Sequence, residues 1–286
     1  MKISVIIPVY NALEDTKKCI KSVLENADLS YTTLTVIDDC SDTETADMLS
    51  ELKEQTGNKF QIIRNETNLG FIKTCNKGLS SIDADIYVLL NSDTIIPKNF
   101  CEKIVKCFET TDAGIASPIG SYSSRYYILH PINMNLNDIN NYIESFHNAE
   151  YPEIPSCEGF CFCIRKNTID SIGYLDTIYG KGYCEEIDFS YRAVKNGLKC
   201  RLIDNLYVYH KNNRSFGNKK RREYLEKNLK IFNERWGNFY ENWIHEHKHI
   251  NPIKKLRKEF FKGKFITNCE TAYMVNIFGK LLKIKK

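Results

Sequence analysis

Acidic and amide residues follow several apolar segments of this sequence, at the points where β-strands are expected to end. Asp38 and Asp39 follow one such segment, and Asn91-Ser92-Asp93 follows another. No lysine interrupts these acids, so together they would concentrate negative charge at one edge of a sheet. A divalent cation bound through hard oxygen ligands would relieve the repulsion between them.

A second acidic group, Glu185-Glu186-Ile187-Asp188, stands where a helix is expected to begin. The helix macrodipole stabilises acids at this position, which by itself would explain Glu185 or Asp188. The functional alternative is a carboxylate general base whose pKa is set by burial and neighbours. His210 comes 24 residues after Glu186, at the end of a further predicted strand. As an isolated histidine it fits a packed side chain or a metal ligand.

The elements that must position these residues alternate between the periodicities of strands and helices. Strands are predicted at Ile3–Val9, Leu34–Ile37, Phe60–Ile63 and Ile86–Leu90, with helices at Leu13–Glu25, Thr43–Gln55, Phe71–Leu79 and Asn99–Phe108. Asp42 and Asn99 are candidate N-caps. The alternation predicts a parallel sheet with right-handed crossovers, a Rossmann-like half. In such sheets ligands bind beyond the carboxyl ends of the strands, where the first group of acids lies.

Residues 110–156 are predicted to be irregular, and a loop of that length is typically a lid or an acceptor-binding surface. Strands are then expected at Gly159–Ile164, Cys200–Ile203 and Tyr207–Tyr209, and helices at Lys166–Ile172, Glu185–Asn196 and Tyr224–Trp236.

Composition excludes collagen-like and disordered classes, since 42% of the 286 residues are hydrophobic and only 14 are Gly and 7 Pro. The net charge of +4 is unevenly distributed. Residues 248–286 hold eleven Lys or Arg against two acids, a local +9 that leaves −5 for the rest. Apolar and basic residues mix at helical spacing over 253–262 and 278–286. That pattern is typical of a helix on an anionic membrane surface, and also of a solvated helix packed on the body.

A cytoplasmic location is expected, with a peripheral one at the inner membrane face as its extension. The apolar start is stopped by Pro8 and is too short for a signal peptide, and eleven cysteines without an export signal favour a reducing compartment. Cys157, Cys161 and Cys163 form no CxxC pair and are interpreted as buried small side chains rather than a zinc site.

Several nucleotide-binding designs are absent from the sequence. It has no GxGxxG after the first strand, no GxxxxGK[ST] and no GxSxG. A dinucleotide dehydrogenase, a P-loop enzyme and a serine hydrolase of the elbow type are therefore disfavoured. Base-stacking motifs are also absent, so nucleic acid is not an expected partner despite the basic tail.

Taken in order, these segments resemble the family 2 glycosyltransferases of GT-A fold over roughly residues 1–240. The segments that carry the resemblance are Ser4–Asn11, Val36–Asp42, Asn68–Phe71, Leu89–Asp93, Gly159 with its strand, Glu185–Asp188 and His210. Asn-Leu-Gly-Phe and the Asn-x-Asp form of the metal motif are similar to the non-processive, rhamnosyltransferase-like branch.

The resemblance implies a role for each matching residue. Asp93 and His210 would hold Mn²⁺ or Mg²⁺, and Glu186 would be the catalytic base. Gly159, Glu185 and Asp188 would support the acceptor side. The donor nucleotide would be bound by Pro8, Tyr10, Asn11, Asp38, Asp39, Asn68, Gly70, Asn91 and Ser92, with Asp39 accepting from the base's imino N–H.

Three departures from the family pattern affect these roles. The family's DxD motif reads Asn91-Ser92-Asp93, which leaves one carboxylate; an imidazole ligand from His210 would then favour Mn²⁺ over Mg²⁺. Glu186 stands where Asp is common and reaches one methylene further. Arg235-Trp236 is similar to a motif of processive synthases, but Phe232 replaces its Gln, so processivity is not expected.

The resemblance thus implies an α/β protein of GT-A fold, with a Rossmann-like half, a mixed central sheet and a helical, basic C-terminal extension. The boundaries expected are 1–110 for the nucleotide-sugar half, 111–216 for the acceptor and catalytic half, and 217–286 for the extension. The implied activity is inverting, metal-dependent transfer from a nucleotide diphosphate sugar to a glycan or lipid-linked acceptor. A non-catalytic nucleotide-sugar-binding module and a sugar nucleotidyltransferase remain as alternatives.

Overall fold

A mixed eight-stranded β-sheet forms the centre of the protein in a computed structural model. The residues described are 1–121, 125–131, 134–146, 148–211, 218–237, 242, 251–259, 273–275 and 281–283. The strands of the sheet are β1 (Ile3–Val9), β2 (Thr32–Asp38), β3 (Gln61–Arg64), β4 (Ile86–Leu90), β5 (Thr94–Ile95), β6 (Ala113–Gly120), β7 (Cys161–Arg165) and β8 (Lys199–His210). Their spatial order is β3-β2-β1-β4-β7-β6-β8-β5.

Helices cover the sheet between these strands. They are α1 (Leu13–Asn26), α2 (Thr43–Gln55), α3 (Phe71–Ser81), α4 (Phe100–Thr110), α5 (Leu136–Phe146), α6 (Lys166–Ile172), α7 (Glu185–Lys195), α8 (Asn218–Trp236) and α9 (Lys254–Glu259), with a 3₁₀ turn at Thr177–Tyr179. Strands β9 (Tyr273–Val275) and β10 (Leu281–Lys283) pair antiparallel in a separate two-stranded sheet.

Strands β1 to β4 are parallel to one another, as the alternating pattern predicts. Strand β7 then runs antiparallel to both β4 and β6, which makes the sheet mixed. Residues of β1 and β4 are buried throughout because helices pack on both faces. The α/β fold with a Rossmann-like half and a mixed central sheet is confirmed.

Two hydrophobic clusters fill the opposite faces of the sheet. Cys161 and Cys163 lie in one cluster and Phe162 in the other, as strand alternation requires. The ten described cysteines are free thiols, and nine of them are buried.

The two predicted helix caps have different outcomes. The side chain of Asp42 accepts a hydrogen bond of 2.9 Å from the Thr45 N–H and caps α2. Asn99 precedes α4 with φ 58° and makes no capping bond with its side chain. Its left-handed backbone turns away from the geometry in which an N-cap side chain reaches the first helical amides.

The prediction that residues 110–156 are irregular is wrong for two stretches. Strand β6 contains Gly, Ser and Pro118, which hid it, and its register with β8 shifts at Pro118/Ile119 because proline cannot donate to the ladder. Helix α5 is held by Asn140, whose buried side chain donates to the Tyr207 carbonyl and accepts from the Tyr207 N–H, both at 2.9 Å. The two strands expected over 200–209 are likewise a single strand, β8.

The C-terminal region packs on the same core. Phe232 of α8 and Ile253 and Leu256 of the α9 segment are fully buried in the cluster that contains Phe162. Helical spacing predicted α9 correctly, but it is wrong at 281–283, where main-chain pairing with 273–275 forms a strand. The rest of the predicted tail helices, 260–262 with 278–280 and 284–286, lies outside the described residues. No helix in the described part of the chain is long and apolar enough to cross a membrane.

Candidate functional site

Asp38 is the buried last residue of β2, and its carboxylate is used to join the strand ends. The parallel register of β2 and β3 places it opposite Arg64, whose guanidinium forms an ion pair with it. The Ser41 N–H donates to the other carboxylate oxygen at 2.9 Å, and Arg64 also donates to the Ser41 carbonyl at 2.8 Å. Arg64 therefore neutralises the charge of Asp38, an acid for which the sequence pattern showed no neighbouring cation.

Asp39 organises the loop that precedes α3. Its side chain accepts hydrogen bonds from the Asn65 amide at 2.8 Å and from the main-chain N–H groups of Leu69 and Gly70 at 2.8 and 2.9 Å. The carboxylate is 3% exposed, so these bonds compensate its burial. Asp39 thus fixes the Asn68-Leu69-Gly70 loop beside the end of β1.

The turn after β1 is bound to the turn after β2. The Asn11 N–H donates to Ser41 Oγ at 2.9 Å, and Asn11 Oδ1 accepts from the Asp42 N–H at 2.8 Å. Pro8 lies buried within β1, whereas Tyr10, at the strand's end, is 56% exposed. An exposed aromatic ring beside ordered strand ends offers a surface on which a planar base can stack.

Gly70 brings the donor-side loop into contact with the segment before α7. Its φ of +82° is one that residues with a side chain rarely adopt, and a Cβ there would lie 3.3 Å from Lys181 Cγ. Asn68, two residues earlier, is exposed. The loop that Asp39 fixes therefore contacts the segment before α7, with Gly70 against Lys181.

Asn91-Ser92-Asp93 forms a turn between β4 and β5. The Asn91 N–H donates to the Phe160 carbonyl at 2.9 Å, and its own carbonyl accepts from the Thr94 hydroxyl at 2.7 Å. Ser92 is half-buried in the same turn. These bonds hold the backbone that presents the Asp93 side chain.

Asp93 and His210 meet although they come from distant parts of the chain. Strand β5 pairs with the end of β8, so that Thr94 is opposite His210, and His210 Nε2 lies 3.2 Å from Asp93 Oδ1. The imidazole is stacked on the Phe160 ring with centroids 5.0 Å apart. Ser121 Oγ donates to the His210 carbonyl and accepts from its N–H, both at 2.7 Å.

This pair fits a divalent metal in donor chemistry. One carboxylate and one imidazole, each side chain 12–13% exposed, lie in direct contact. The combination suits Mn²⁺ better than Mg²⁺, because imidazole is a poor ligand for Mg²⁺. No group of three or more such side chains occurs among the described residues.

Lys211, a basic residue, follows His210 directly in the sequence. The Lys211 N–H donates to the Asp93 carbonyl at 3.0 Å, and its ammonium contacts both carboxylate oxygens of Asp15 at 2.8 and 3.1 Å.

Glu185 and Glu186 begin α7 after an unusual backbone segment. Tyr183 and Cys184 have φ values of 72° and 73°, and two consecutive non-glycine residues in this region indicate backbone strain that the surroundings must support. Each glutamate has an Oε2 atom that is buried and has no hydrogen-bond partner among the described residues. Orphaned carboxylate oxygens of this kind are a recognised feature of catalytic sites.

The environment of Glu186 suits a base that works near neutral pH. Its pKa is raised to about 7, chiefly by burial and to a smaller extent by the charge of Glu158, while a main-chain hydrogen bond opposes the shift. Burial and the neighbouring Glu186 raise the pKa of Glu185 well above its usual range. Position 159 is adjacent: a Cβ added there would lie 3.6 Å from Glu186 Cβ and Cγ, an ordinary van der Waals distance. Gly159 therefore lies beside the Glu186 side chain.

Glu158 is a site residue that sequence reasoning missed. Its Oε1 accepts a 2.7 Å hydrogen bond from the Arg125 N–H, and its own N–H donates to Ser117 Oγ at 3.1 Å. Burial raises its pKa, while the Arg125 amide and His210 lower it. No motif marks this glutamate, because its partners come from the segment predicted to be irregular.

The surroundings of Asp188 are those of a residue that stabilises the fold. It is fully buried and accepts hydrogen bonds from the Tyr179 hydroxyl at 3.0 Å, Arg192 Nε at 2.8 Å and Trp236 Nε1 at 2.8 Å. It joins α7 to α8 and to the 3₁₀ turn and supports the acidic segment from behind.

Asn228 of α8 holds the segment before α7. Its side-chain nitrogen lies within 2.7–2.9 Å of the carbonyl oxygens of Tyr179, Gly182 and Tyr183. Two N–H groups are thus shared among three carbonyls of this segment. Sequence reasoning missed Asn228 as well, since it lies beyond the motifs.

The mixed sheet, with acidic residues at its strand ends and a carboxylate–imidazole pair beside them, defines a glycosyltransferase domain of GT-A fold. The chain belongs to the family described as Glycosyl transferase family 2, whose sequence profile matches residues 4–173. It is 32% identical over 120 residues to an uncharacterized glycosyltransferase of Haemophilus influenzae, a match that spans 42% of this chain and 36% of that protein.

Two solved structures share the fold. The crystal structure of GalNAc-T7 with UDP, GalNAc and Mn²⁺ aligns with a TM-score of 0.64 at 16% identity, over 93% of this chain and 55% of that one. The mannosyltransferase PcManGT of Pyrobaculum calidifontis, in complex with GDP-Man and Mn²⁺, aligns with a TM-score of 0.58 at 16% identity, over 78% and 60%. At this identity the likeness concerns the fold, which confirms the GT-A architecture.

Proposed function

We propose that this protein is an inverting, metal-dependent glycosyltransferase that moves a sugar from a nucleotide diphosphate sugar to a hydroxyl group of an acceptor. The observation that carries the proposal is the joint presence of the Asp93–His210 pair and of Glu186, whose buried Oε2 has no partner among the described residues. Glu158 interacts electrostatically with both His210 and Glu186. Family membership and two neighbours in complex with nucleotides and Mn²⁺ support the same reading.

The donor nucleotide is assigned to the strand-end loops. The exposed ring of Tyr10 and the loop Asn68-Leu69-Gly70 form the base and ribose side, with Asn11, Asn91 and Ser92 as further polar contacts. Asp39 Oδ1 already accepts two protein hydrogen bonds, but Oδ2 accepts one, from the Gly70 N–H, so its second lone pair can accept an imino N–H. Asp38 shapes this pocket through Arg64 rather than by direct contact.

Asp93 and His210 are assigned to a divalent cation. When bound, such an ion supplies Lewis-acid stabilisation of the negative charge on a departing diphosphate. The residues' own part is to hold that charge-balancing site rigidly, through the turn at Asn91 and the stacking of His210 on Phe160.

Glu186 is assigned as the general base. It would take the proton from the acceptor hydroxyl as that oxygen bonds to the anomeric carbon from the face opposite the departing diphosphate, so the configuration inverts. A pKa near 7 suits this exchange at neutral pH. Gly159 lies beside the base, and Glu185 and Asp188 keep the start of α7 in place.

The acceptor is proposed to be a glycan or a lipid-linked glycan, met at an anionic membrane surface. Lys254 and Lys258 of α9 are exposed, lie four residues apart on one face of the helix and provide the cationic face for that contact. Changing both lysines to Glu should abolish pelleting with phosphatidylglycerol vesicles at low salt. Equal pelleting of the variant and the unchanged protein would remove the membrane part of the proposal.

The proposal is tested by a thermal-shift screen of UDP- and GDP-sugars with and without Mn²⁺, followed by assays of sugar transfer and donor hydrolysis. A true donor should raise the melting temperature by an amount that grows with the logarithm of its concentration. Binding without any turnover would favour a non-catalytic binding module. Release of pyrophosphate from a nucleoside triphosphate and a sugar phosphate would instead identify a nucleotidyltransferase.

A further inference from the structure

Among the described residues of the basic tail, Arg257 differs from the exposed lysines beside it. It lies in α9 and is turned inward: its Nε donates to the Tyr127 carbonyl at 3.0 Å and its terminal nitrogen donates to the Arg125 carbonyl at 2.6 Å. The guanidinium also lies over the Tyr127 ring, 4.8 Å from its centroid. The buried Ile253 and Leu256 anchor the chain immediately before this contact.

Residues 125–127, which Arg257 contacts, lie close to both halves of the candidate site. The Gly120 N–H donates to the Tyr126 carbonyl at 2.9 Å, which holds these residues at the end of β6. Ser121, the residue after Gly120, exchanges two hydrogen bonds with the main chain of His210. Residues 125–127 are therefore held near the proposed metal ligand His210 by contacts that do not involve Arg257.

The main chain of Arg125 lies between two charged groups. Its carbonyl accepts from Arg257, and its N–H donates to Glu158 at 2.7 Å. Gly159 follows directly, and a Cβ added to it would lie 3.6 Å from the Glu186 side chain. A series of neighbouring groups thus runs from the C-terminal helix to the glutamate assigned as the base.

We propose that Arg257 is a positioning residue for catalysis: by fixing the Arg125 main chain it holds the Glu158 carboxylate, and with it Gly159, beside Glu186. The proposal rests on the function proposed above, because it concerns the rate of that reaction. Pre-organised groups around a reacting centre contribute mainly to turnover, since they need not rearrange as charge develops. Loss of Arg257 should therefore lower kcat and leave donor binding unchanged.

The test compares four full-length variants: Arg257→Ala, Arg257→Lys, Glu158→Gln and the double variant with Arg257→Ala and Glu158→Gln. Lys255→Ala is the matched control, because Lys255 is an exposed cation on the same helix. The measurements are kcat for hydrolysis of the active UDP- or GDP-sugar with Mn²⁺, the Kd for the corresponding nucleoside diphosphate, and the melting temperature.

We expect Arg257→Ala to lower kcat about 10-fold or more with Kd within about twofold, as misplacement near a catalytic group does. Arg257→Lys should retain part of the kcat of the unchanged protein, and Lys255→Ala should retain all of it. The double variant should lose little more than the larger single loss, because coupled residues are not additive.

Three results overturn the proposal: full kcat in Arg257→Ala, a fall in kcat that only follows the loss of folded protein, or additive losses in the double variant. If the unchanged protein neither binds nor hydrolyses any of the donors, the proposed function itself fails. The two failures are therefore distinguishable.

Discussion

Asp93 Oδ1 and His210 Nε2 lie 3.2 Å apart, at the point where the short strand β5 pairs with the end of β8. Neither residue is adjacent to a further cluster of metal-binding side chains in the described part of the chain. Metal binding should therefore depend on both residues.

Asp93→Asn and His210→Ala should each weaken Mn²⁺ binding in the presence of UDP or GDP by at least about 10-fold, since even residues that only support a ligand cost about 10–100-fold. Electron paramagnetic resonance of free Mn²⁺ measures this directly. Asp83→Asn is the control, because the Asp83 side chain is 85% exposed and pairs with Lys166. Unchanged Mn²⁺ affinity in both site variants would contradict the assignment.

Glu186→Gln should lower kcat by about 10²–10⁴-fold, the usual contribution of a general base, while donor affinity stays nearly constant. Glu185→Gln is the informative partner, because both glutamates have a buried, unpartnered Oε2. Steady-state kinetics and calorimetric titration of the nucleoside diphosphate give the two quantities. A larger loss of kcat in Glu185→Gln than in Glu186→Gln would transfer the role to Glu185.

The rate should depend on pH through Glu186. Burial raises its pKa to about 7, and the base works in its ionised form, so kcat/KM should increase with pH through a midpoint near 7 and level off above it. The residual kcat/KM of the Glu186→Gln variant should not show this increase with pH. A midpoint near the ordinary glutamate value of about 4.3 would show that Glu186 is not desolvated as described.

Gly70→Ala should weaken donor binding, because an added Cβ meets Lys181 Cγ at 3.3 Å and the φ of +82° is unfavourable for alanine. Gly57→Ala is a matched control: φ is +66° and nothing lies within 4 Å of the added Cβ. Gly57→Ala should lose about 1–2 kcal/mol of stability from the backbone alone. Gly70→Ala should lose about 1–3 kcal/mol, because its φ of 82° and ψ of 163° lie in a region essentially restricted to glycine. Only Gly70→Ala should raise the Kd for the donor, and equal Kd values would separate this loop from the donor site.

Arg64→Met should destabilise the protein by about 3 kcal/mol, the low end for breaking a buried ion pair, because Arg64 is itself partly exposed. It leaves the buried Asp38 without its cation. Adding Asp38→Asn should recover much of that loss in urea unfolding. If the double variant is no more stable than Arg64→Met, loss of the Arg64–Asp38 ion pair is not the cause of the destabilisation.

The sequence was most informative where periodicity and cap chemistry agree. Helix α2, which Asp42 caps, and strand β4, which is buried on both faces, have their predicted bounds. Strand β6 was missed because Gly, Ser and Pro118 interrupt its pattern. Helix α5 did carry a signal, since Leu136, Ile139 and Ile143 are spaced for one helical face.

Among the site residues, motifs predicted those that lie at strand ends. Asp93 and His210 were expected together, and the structure brings them together. Arg64 could have been found from the same logic, since it ends the strand next to Asp38. Glu158, Asn228 and Arg257 could not, because their roles arise from tertiary contacts between segments with no common pattern.

Strand β8 has a consequence for the order in which the protein matures. Residues that would bind the donor occur within the first hundred positions, but His210 closes the last strand of the sheet. Asn228 and Arg257, which hold the segments before α7 and after β6, are made later still. A nascent chain can therefore complete the parallel strands β1 to β4 well before it has an organised reaction centre, so competence for the proposed reaction is acquired only after Arg257 has been made.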